Sequence, residues 1–231
     1  MRGSVTIHYH GTPITPRKVL QSLAGKFFCV SYAAPGDIDY CHQIGQGVML
    51  DNGAFSVWRR GISPNWTGYY EWCSKWLEYP TTWAVIPDVI DGDDADNEEL
   101  LTIWPHEGRG APVWHMHEDI SRLCRLCDDY ERVCIGSSGE FAVVGDSRWH
   151  ARMTDAMNQL CKTGRVPAWL HMLRGMAAAQ WGYPFASVDS TDVARNHHCW
   201  PYPARQKADE WDSIQCRPTW AQTAIQMELA A

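Results

Sequence analysis

Three aspartates stand at the ends of apolar, strand-like segments, where the side chains of an α/β protein often do chemistry. Asp51 ends GVMLD, Asp88 follows WAVIP, and Asp189 ends FASVD. Separated carboxylates permit a division of labour, in which one attacks an electrophilic carbon, one moves protons and one reads the edge of a ligand. Asn52 and Gly53 follow Asp51, so a flat ligand can approach the backbone closely there. We therefore predict a site built on these three acids.

Polar or small residues also end the other strand-like segments. PVWHMH, RVCIGSS and AWLHML carry histidine, glycine or serine near their ends, and neutral histidines there can bond to a ligand or to the carboxylates. The residues predicted to bind substrate are Asp88, Asn52, Gly53, Phe55, His115, His117, Gly136, Ser137 and His171, with Asp51 and Asp189 as the catalytic residues.

A metal site is the alternative use of the histidines. His8 and His10 share one strand face and, with His115 or His117 and Asp189, resemble the metal site of amidohydrolase-type barrels. Two features oppose this: RVCIGSS has no histidine where those enzymes carry one, and no lysine ends WAVIPDVI. We expect no cofactor, with zinc bound through His8 and His10 as the alternative.

The elements that must position these residues alternate along the chain. Short apolar runs rich in Val, Ile, Phe and Trp are separated by longer amphipathic stretches, which is typical of parallel βα units. The predicted strands are VTIHYHG, FFCVSYA, GVMLDNGAF, WAVIPDVI, PVWHMH, RVCIGSS, AWLHML and FASVDS. The predicted helices are TPRKVLQSLAG, DIDYCHQIG, NWTGYYEWCSKWLEY, DADNEELLTIW, EDISRLCRLCDDY, DSRWHARMTDAMNQLCK, RGMAAAQWGY and TWAQTAIQMELAA.

Eight strands alternating with eight helices predict an α/β fold, a compact (β/α)8 TIM-like barrel forming a single domain over residues 1–231. A doubly wound open sheet is the competing architecture. The polar strand ends favour the barrel, because the C-terminal ends of barrel strands meet at one mouth and carry the chemistry.

Composition narrows the class of protein. A net charge of -7 argues against a general electrostatic grip on nucleic acid. The stretch from Arg195 to Lys207, which interleaves basic and aromatic residues, is the candidate for a local basic groove, against the plainer interpretation of a surface loop. No apolar run is long enough to span a membrane, and nine cysteines favour reduced thiols. We expect a cytoplasmic protein.

In chain order, LDNGAFS, IPDV, PVWH, IGSS, LHML and VDSTDVARN resemble the motifs of the tRNA-guanine transglycosylase superfamily. They are most similar to its phage and bacterial branch, the DpdA-type DNA 7-deazaguanine transglycosylases. The resemblance covers roughly Val48 to Asn196. It implies an enzyme that exchanges guanine in nucleic acid, and in DNA for this branch, for a base such as 7-cyano-7-deazaguanine, in the host cytoplasm if phage-encoded.

The resemblance also implies roles for individual residues. Asp189 would be the nucleophile that forms a covalent link to the sugar, Asp51 would handle the proton of the departing or incoming base, and Asp88 would read the base edge. Gly136 would supply a backbone contact. His115 replaces the family's usual glutamine, so the exchanged base could differ.

Exchange requires the nucleotide to be flipped out of a duplex, and Phe55, Trp58 or Trp114 are candidates to stack on it. Two further enzyme classes stay open from the residues alone. One is a metal-dependent amidohydrolase-like hydrolase, and the other is a different N-glycosidase acting on nucleosides or nucleotides.

Overall fold

The computed structural model describes residues 5–162 and 169–220. Over these ranges nine parallel strands form one sheet. The strands are β1 (Ile7–Gly11), β2 (Phe27–Ser31), β3 (Gly47–Asp51), β4 (Thr82–Val85), β5 (Gly110–Ala111), β6 (Val113–His115), β7 (Arg132–Gly136), β8 (Trp169–Met172) and β9 (Ser187–Ser190).

The sheet curves into a nearly closed barrel, which confirms the predicted TIM-like fold. Its order is β5-β4-β3-β2-β1-β9-β8-β7-β6, so the two edge strands are consecutive in the chain and only Pro112 separates them. Ala111 O accepts a bond of 2.9 Å from Ile86 N, and Pro112 O accepts one of 2.8 Å from Cys134 N. β5 and β6 together therefore occupy the place of one barrel strand, and the nine strands correspond to the eight predicted ones.

Alternate residues of each strand face the barrel interior. Tyr9, Cys29, Met49, Trp83 and Cys134 belong to one buried cluster that fills the barrel. Trp83 Nε1 donates a hydrogen bond of 2.9 Å to Tyr9 Oη, so the polar atoms of these two rings satisfy each other. The intervening strand residues, among them Phe28, Val30, Val133, Ile135 and Leu170, pack outward in two larger apolar clusters.

Nine α-helices and four short 3-10 helices lie between the strands or follow the last one within the described ranges. The α-helices are α1 (Arg17–Ser22), α2 (Ile38–Ile44), α3 (Ala54–Arg60), α4 (Trp66–Trp76), α5 (Asp94–Thr102), α6 (Ile120–Asp129), α7 (Ser147–Lys162), α8 (Asp192–Asn196) and α9 (Ala204–Ser213). The 3-10 helices are Pro35–Asp37, Gly139–Phe141, Met176–Trp181 and His197–Cys199.

One predicted helix and one predicted strand end differ from the structure. The segment RGMAAAQWGY contains a 3-10 helix over Met176–Trp181. Residues 54 and 55, predicted as the end of a strand, begin α3, because Gly53 adopts a φ of 76° and turns the chain after β3. Most of the closing segment, residues 221–231, lies outside the described residues.

The predictions about membrane-spanning segments and about the cysteines can be compared directly with the structure. No helix among the described residues is long and apolar enough to cross a membrane. All nine cysteines lie in the described ranges, and no disulfide joins any two of them.

Candidate active site

The three predicted acids line one cavity at the C-terminal ends of the strands. Asp51 is the last residue of β3, Asp88 lies just beyond β4, and Asp189 is in β9. Parallel strands bring these distant positions to the same end of the barrel. The cavity is lined by Asp51, Asn52, Ala54, Phe55, Val85, Asp88, Ile90, His115, Gly136, Ser137, Leu173, Arg174 and Asp189.

Asp51 is the acid whose pKa departs most clearly from the ordinary value. Burial raises the pKa of its carboxyl to about 6, and the negative charges of Asp189 and Asp88 add to the increase, while a hydrogen bond with Ser31 opposes it. Its Oδ2 also accepts a bond of 3.2 Å from Gly53 N. A carboxyl with a pKa near neutrality can both release and accept a proton, as a general acid-base group must.

Asp88 is held by two side chains. Asn52 Nδ2 donates to Asp88 Oδ1 at 2.7 Å and to Ile86 O at 2.9 Å. His115 Nε2 lies 2.9 Å from Asp88 Oδ2. Asn52 Oδ1 in turn accepts from Ala54 N, so the whole amide serves to orient Asp88. Asn52 is therefore better described as a positioning residue than as a direct ligand contact.

His115 presents a buried nitrogen with no hydrogen-bond partner among the described residues. This atom is Nδ1. In a neutral ring that donates from Nε2 to Asp88, Nδ1 is an acceptor. A Cβ at Gly136 would come within 3.0 Å of it, so the glycine preserves the space beside that nitrogen. A ligand N–H or O–H would satisfy the unpaired acceptor.

Asp189 is fixed by the backbone that follows β8. Arg174 N donates to Asp189 Oδ1 at 2.6 Å. His171 Nε2 lies 3.4 Å from the same oxygen, and His171 Nδ1 lies 2.8 Å from Ser187 Oγ. His171 is fully buried and contacts the rings of Tyr9 and Trp83. It therefore lies beneath the cavity, next to Asp189, and does not line the cavity wall.

Arg174 is a site residue that the sequence analysis missed. Its guanidinium carbon lies 4.0 Å from the centre of the Phe55 ring, and Nη2 donates to Ser137 O at 3.2 Å. Burial lowers the pKa of Arg174, and the charges of Asp189, Asp51 and Asp88 oppose that change. Arg174 thus supplies positive charge to a cavity that contains three carboxylates.

Three residues named from the sequence have other contacts. His117 is exposed, and its ring nitrogens lie 2.7 Å from Ser138 Oγ and 3.2 Å from Gly92 O. Ser137 lines the cavity, its Oγ accepts from Trp149 Nε1, and its backbone O accepts from Arg174 Nη2. Trp114 is fully buried and outside the barrel wall, which excludes it as a stacking partner.

The two histidines of the zinc alternative face away from the mouth. Tyr9 points into the barrel, so its neighbours His8 and His10 point outward, where His10 Nε2 lies 3.1 Å from Asp212 Oδ1 beneath α9. Among residues 5–162 and 169–220, no group of three His, Cys, Asp or Glu side chains is arranged to hold a metal ion. The alternative metal site of His8 and His10 with His115 or His117 and Asp189 is therefore not assembled among these residues.

The candidate basic groove between Arg195 and Lys207 is mostly folded into helices, and two of its cations have acidic partners. Arg205 Nε lies 2.9 Å from Asp209 Oδ1, and Lys207 Nζ lies 3.2 Å from Glu210 Oε2. These pairs lie along α9 and neutralise much of its positive charge.

Comparison of the chain with protein-family models, with curated proteins and with solved structures finds no match. The function must therefore be inferred from the geometry of the site itself.

Proposed function

We propose that this protein is a nucleic-acid guanine transglycosylase that replaces guanine with a 7-deazaguanine base. The observation that carries the proposal is the presence of Asp51, Asp88 and Asp189 in the wall of one cavity, each in a different setting. Asp189 has a backbone donor, Asp88 has a histidine and an amide, and the pKa of Asp51 is about 6. Different environments suit three carboxylates to three roles.

In the first step, Asp189 attacks C1′ of the target nucleotide. The bond from C1′ to N9 breaks, an ester forms between the sugar and Asp189, and guanine leaves with the electron pair. Protonated Asp51 supplies the proton that neutralises the leaving base. Arg174 N, 2.6 Å from Oδ1, holds the carboxylate in place for the attack.

In the second step, the incoming 7-deazaguanine attacks C1′ from the side that guanine left. Ionised Asp51 takes its proton, the ester bond breaks, and Asp189 regains its negative charge. Two displacements at one carbon retain the configuration of the sugar, as in retaining glycosidases. Asp88 accepts hydrogen bonds from the N–H edge of each base, and His115 Nδ1 offers a further acceptor beside it.

An apolar groove beside the cavity supports the use of a flipped nucleotide. Val57, Trp58, Ile62, Pro64 and Trp66 line this groove, which shares Ala54, Asp88 and Ile90 with the main cavity. Trp58 is 46% exposed. An indole at this position can stack on a base next to the flipped one, which offsets part of the cost of unstacking.

The test is incorporation of labelled guanine or 7-cyano-7-deazaguanine into nucleic acid by the purified protein. We expect Asp189→Ala to abolish incorporation, and Asp39→Asn, a change of an exposed acid on α2, to leave it intact. Incubation without an acceptor base should trap a protein–nucleic acid adduct in the parent protein only.

Two results would contradict the proposal. Full incorporation by the Asp189→Ala variant would show that Asp189 is not the nucleophile. Release of free guanine with no incorporation of any base would instead support the alternative N-glycosidase, in which water takes the place of the incoming base. Parallel assays on DNA and on tRNA identify the polymer, which we propose is DNA.

A further inference from the structure

A second cavity, about 380 Å3 in volume, lies at the opposite end of the barrel. Its wall includes Ile7, Phe27 and Trp169, which are the first residues of β1, β2 and β8. The buried rings of Tyr9 and Trp83 also line it and separate it from the active-site end. A volume of this size falls within the range of small-molecule sites.

The charge in this cavity is positive. Arg109 and Arg132 line it, and the described lining residues include no carboxylate. The Arg132 guanidinium is sandwiched between two indoles, 4.7 Å from the centre of the Trp83 ring and 4.8 Å from that of Trp169. Arg109 donates through one Nη to Tyr79 O and Thr82 O, which fixes it at the wall. Both cations are thus held in place with no acidic partner among the described residues that line the cavity, although the charge of the neighbouring Glu131 also acts on Arg132.

Two of the residues that line this cavity each have a buried polar atom with no hydrogen-bond partner among the described residues. These atoms are Arg132 Nε and Thr82 Oγ1, and Thr82 is only 2% exposed. Leaving a buried donor unpaired is unfavourable, and the cost is larger for a charged group. A ligand acceptor that reached either atom would remove the cost at that atom.

We propose that the cavity at the base of the barrel binds a small molecule carrying a phosphate or carboxylate group. Guanidinium groups match both oxyanions in shape and charge, and two of them can share one anion. The hydroxyl of Thr82 supplies an uncharged donor. This site is separate from the base-exchange reaction and does not depend on it.

The test is calorimetric titration of the purified protein with inorganic phosphate and, separately, with citrate, which distinguishes the two oxyanions. We expect saturable binding of at least one of them. Arg132→Met, which keeps an unbranched chain between the indoles, should weaken it by about tenfold or more. Arg125→Met is the matched control, since Arg125 is exposed and pairs with Glu98 outside this cavity.

A second variant keeps the test valid if Arg132→Met folds poorly. Thr82→Val preserves the shape of the side chain and removes a buried hydroxyl that has no partner among the described residues. The anion-free variant should therefore unfold at the same or a higher temperature than the parent, while its anion binding weakens. The proposal is overturned if neither anion binds saturably, if Thr82→Val binds as tightly as the parent, or if Arg125→Met weakens binding as much as Arg132→Met.

Discussion

The backbone N–H of Arg174 donates a hydrogen bond of 2.6 Å to Oδ1 of Asp189. To do so Arg174 adopts a φ of 53°, a left-handed conformation that is uncommon for any residue other than glycine. Such a conformation costs on the order of 1–3 kcal/mol and persists where surrounding contacts enforce it. Here the contacts are with Asp189, Phe55 and the backbone of Ser137.

This strain predicts a difference between two substitutions at one position. Arg174→Gly and Arg174→Ala both remove the guanidinium, but only glycine adopts a positive φ without cost. We expect Arg174→Gly to be more stable than Arg174→Ala by about 1 kcal/mol, measured by urea unfolding. Greater stability of the alanine variant would show that the backbone is not strained there.

Asp51 predicts a pH-dependent gain in stability on substitution. The pKa of its carboxyl rises from 3.8 to about 6 on folding, so the folded state binds the proton more tightly than the unfolded state. The stability this provides is complete below pH 4 and is lost as the pH rises through 6. Asp51→Asn removes the cost of ionisation, so we expect it to stabilise the protein by about 1–3 kcal/mol at pH 8 and by little at pH 4.

Thermal unfolding at both pH values measures the effect of Asp51→Asn, with Asp39→Asn as the control. The variant should also lose base exchange, because the amide neither accepts nor releases the proton. An equal change in melting temperature at pH 4 and pH 8 would mean that ionisation of Asp51 is not the cause.

His171 is predicted to act through Asp189. His171→Leu preserves a similar volume among Tyr9 and Trp83 but removes the nitrogen 3.4 Å from Asp189 Oδ1. We expect kcat for exchange to fall by about tenfold to a hundredfold with KM little changed, because an interaction at the nucleophile is lost. His171→Gln, which keeps a donor on that side, should recover part of the rate. Identical rates in the two variants would assign His171 a packing role only.

The hydrogen bonds of Asn52 predict a large loss of stability when its side-chain NH2 group is replaced by oxygen. Its Nδ2 donates to Asp88 and to Ile86 O, and an aspartate there would replace those donors with a second negative charge. We expect Asn52→Asp to destabilise the protein by about 2–4 kcal/mol at pH 8, and by less as the pH falls and the new carboxyl is protonated.

Asn65→Asp is the matched control for Asn52→Asp in denaturant unfolding. Asn65 caps α4 by accepting from Gly68 N, and aspartate accepts equally well at such a position. The free energy of unfolding of the Asn65→Asp variant should therefore differ little from that of the parent protein. A similar loss in both variants would contradict the role given to Asn52.

The strands could be predicted because each is a short apolar run, and the acids could be placed because they end such runs. The face of the sheet on which each side chain lies was harder to predict from the sequence. Barrel strands are buried on both sides, so they lack an alternation of polar and apolar residues. His8 and His10 show the result. Tyr9 faces the barrel interior, so its neighbours His8 and His10 face outward. A shift of one residue in the register of β1 would have reversed the direction of all three side chains.

The features missed from the sequence depend on contacts between distant residues. The contribution of Arg174 rests on its backbone conformation after β8 and on the ring of Phe55, which is more than a hundred residues earlier in the chain. The division of one barrel strand at Pro112 arises because its two parts pair with different neighbours. Proline has no backbone N–H, so Pro112 is a position where the neighbouring strand can change. Which strands β5 and β6 pair with is determined by the nearly closed sheet.

The packed rings of Tyr9, Trp83 and His171 leave the two ends of the barrel with opposite character. Three carboxylates line the cavity at one end, and two guanidinium groups line the cavity at the other end. The charges of the side chains are therefore distributed asymmetrically along the barrel axis. The nucleic acid that we propose as substrate is a polyanion, so negative charge at this opening would oppose its approach. Protonation of Asp51 and the cation of Arg174 both reduce that negative charge. Under the proposed function, capture of the polyanion would therefore depend on pH through Asp51.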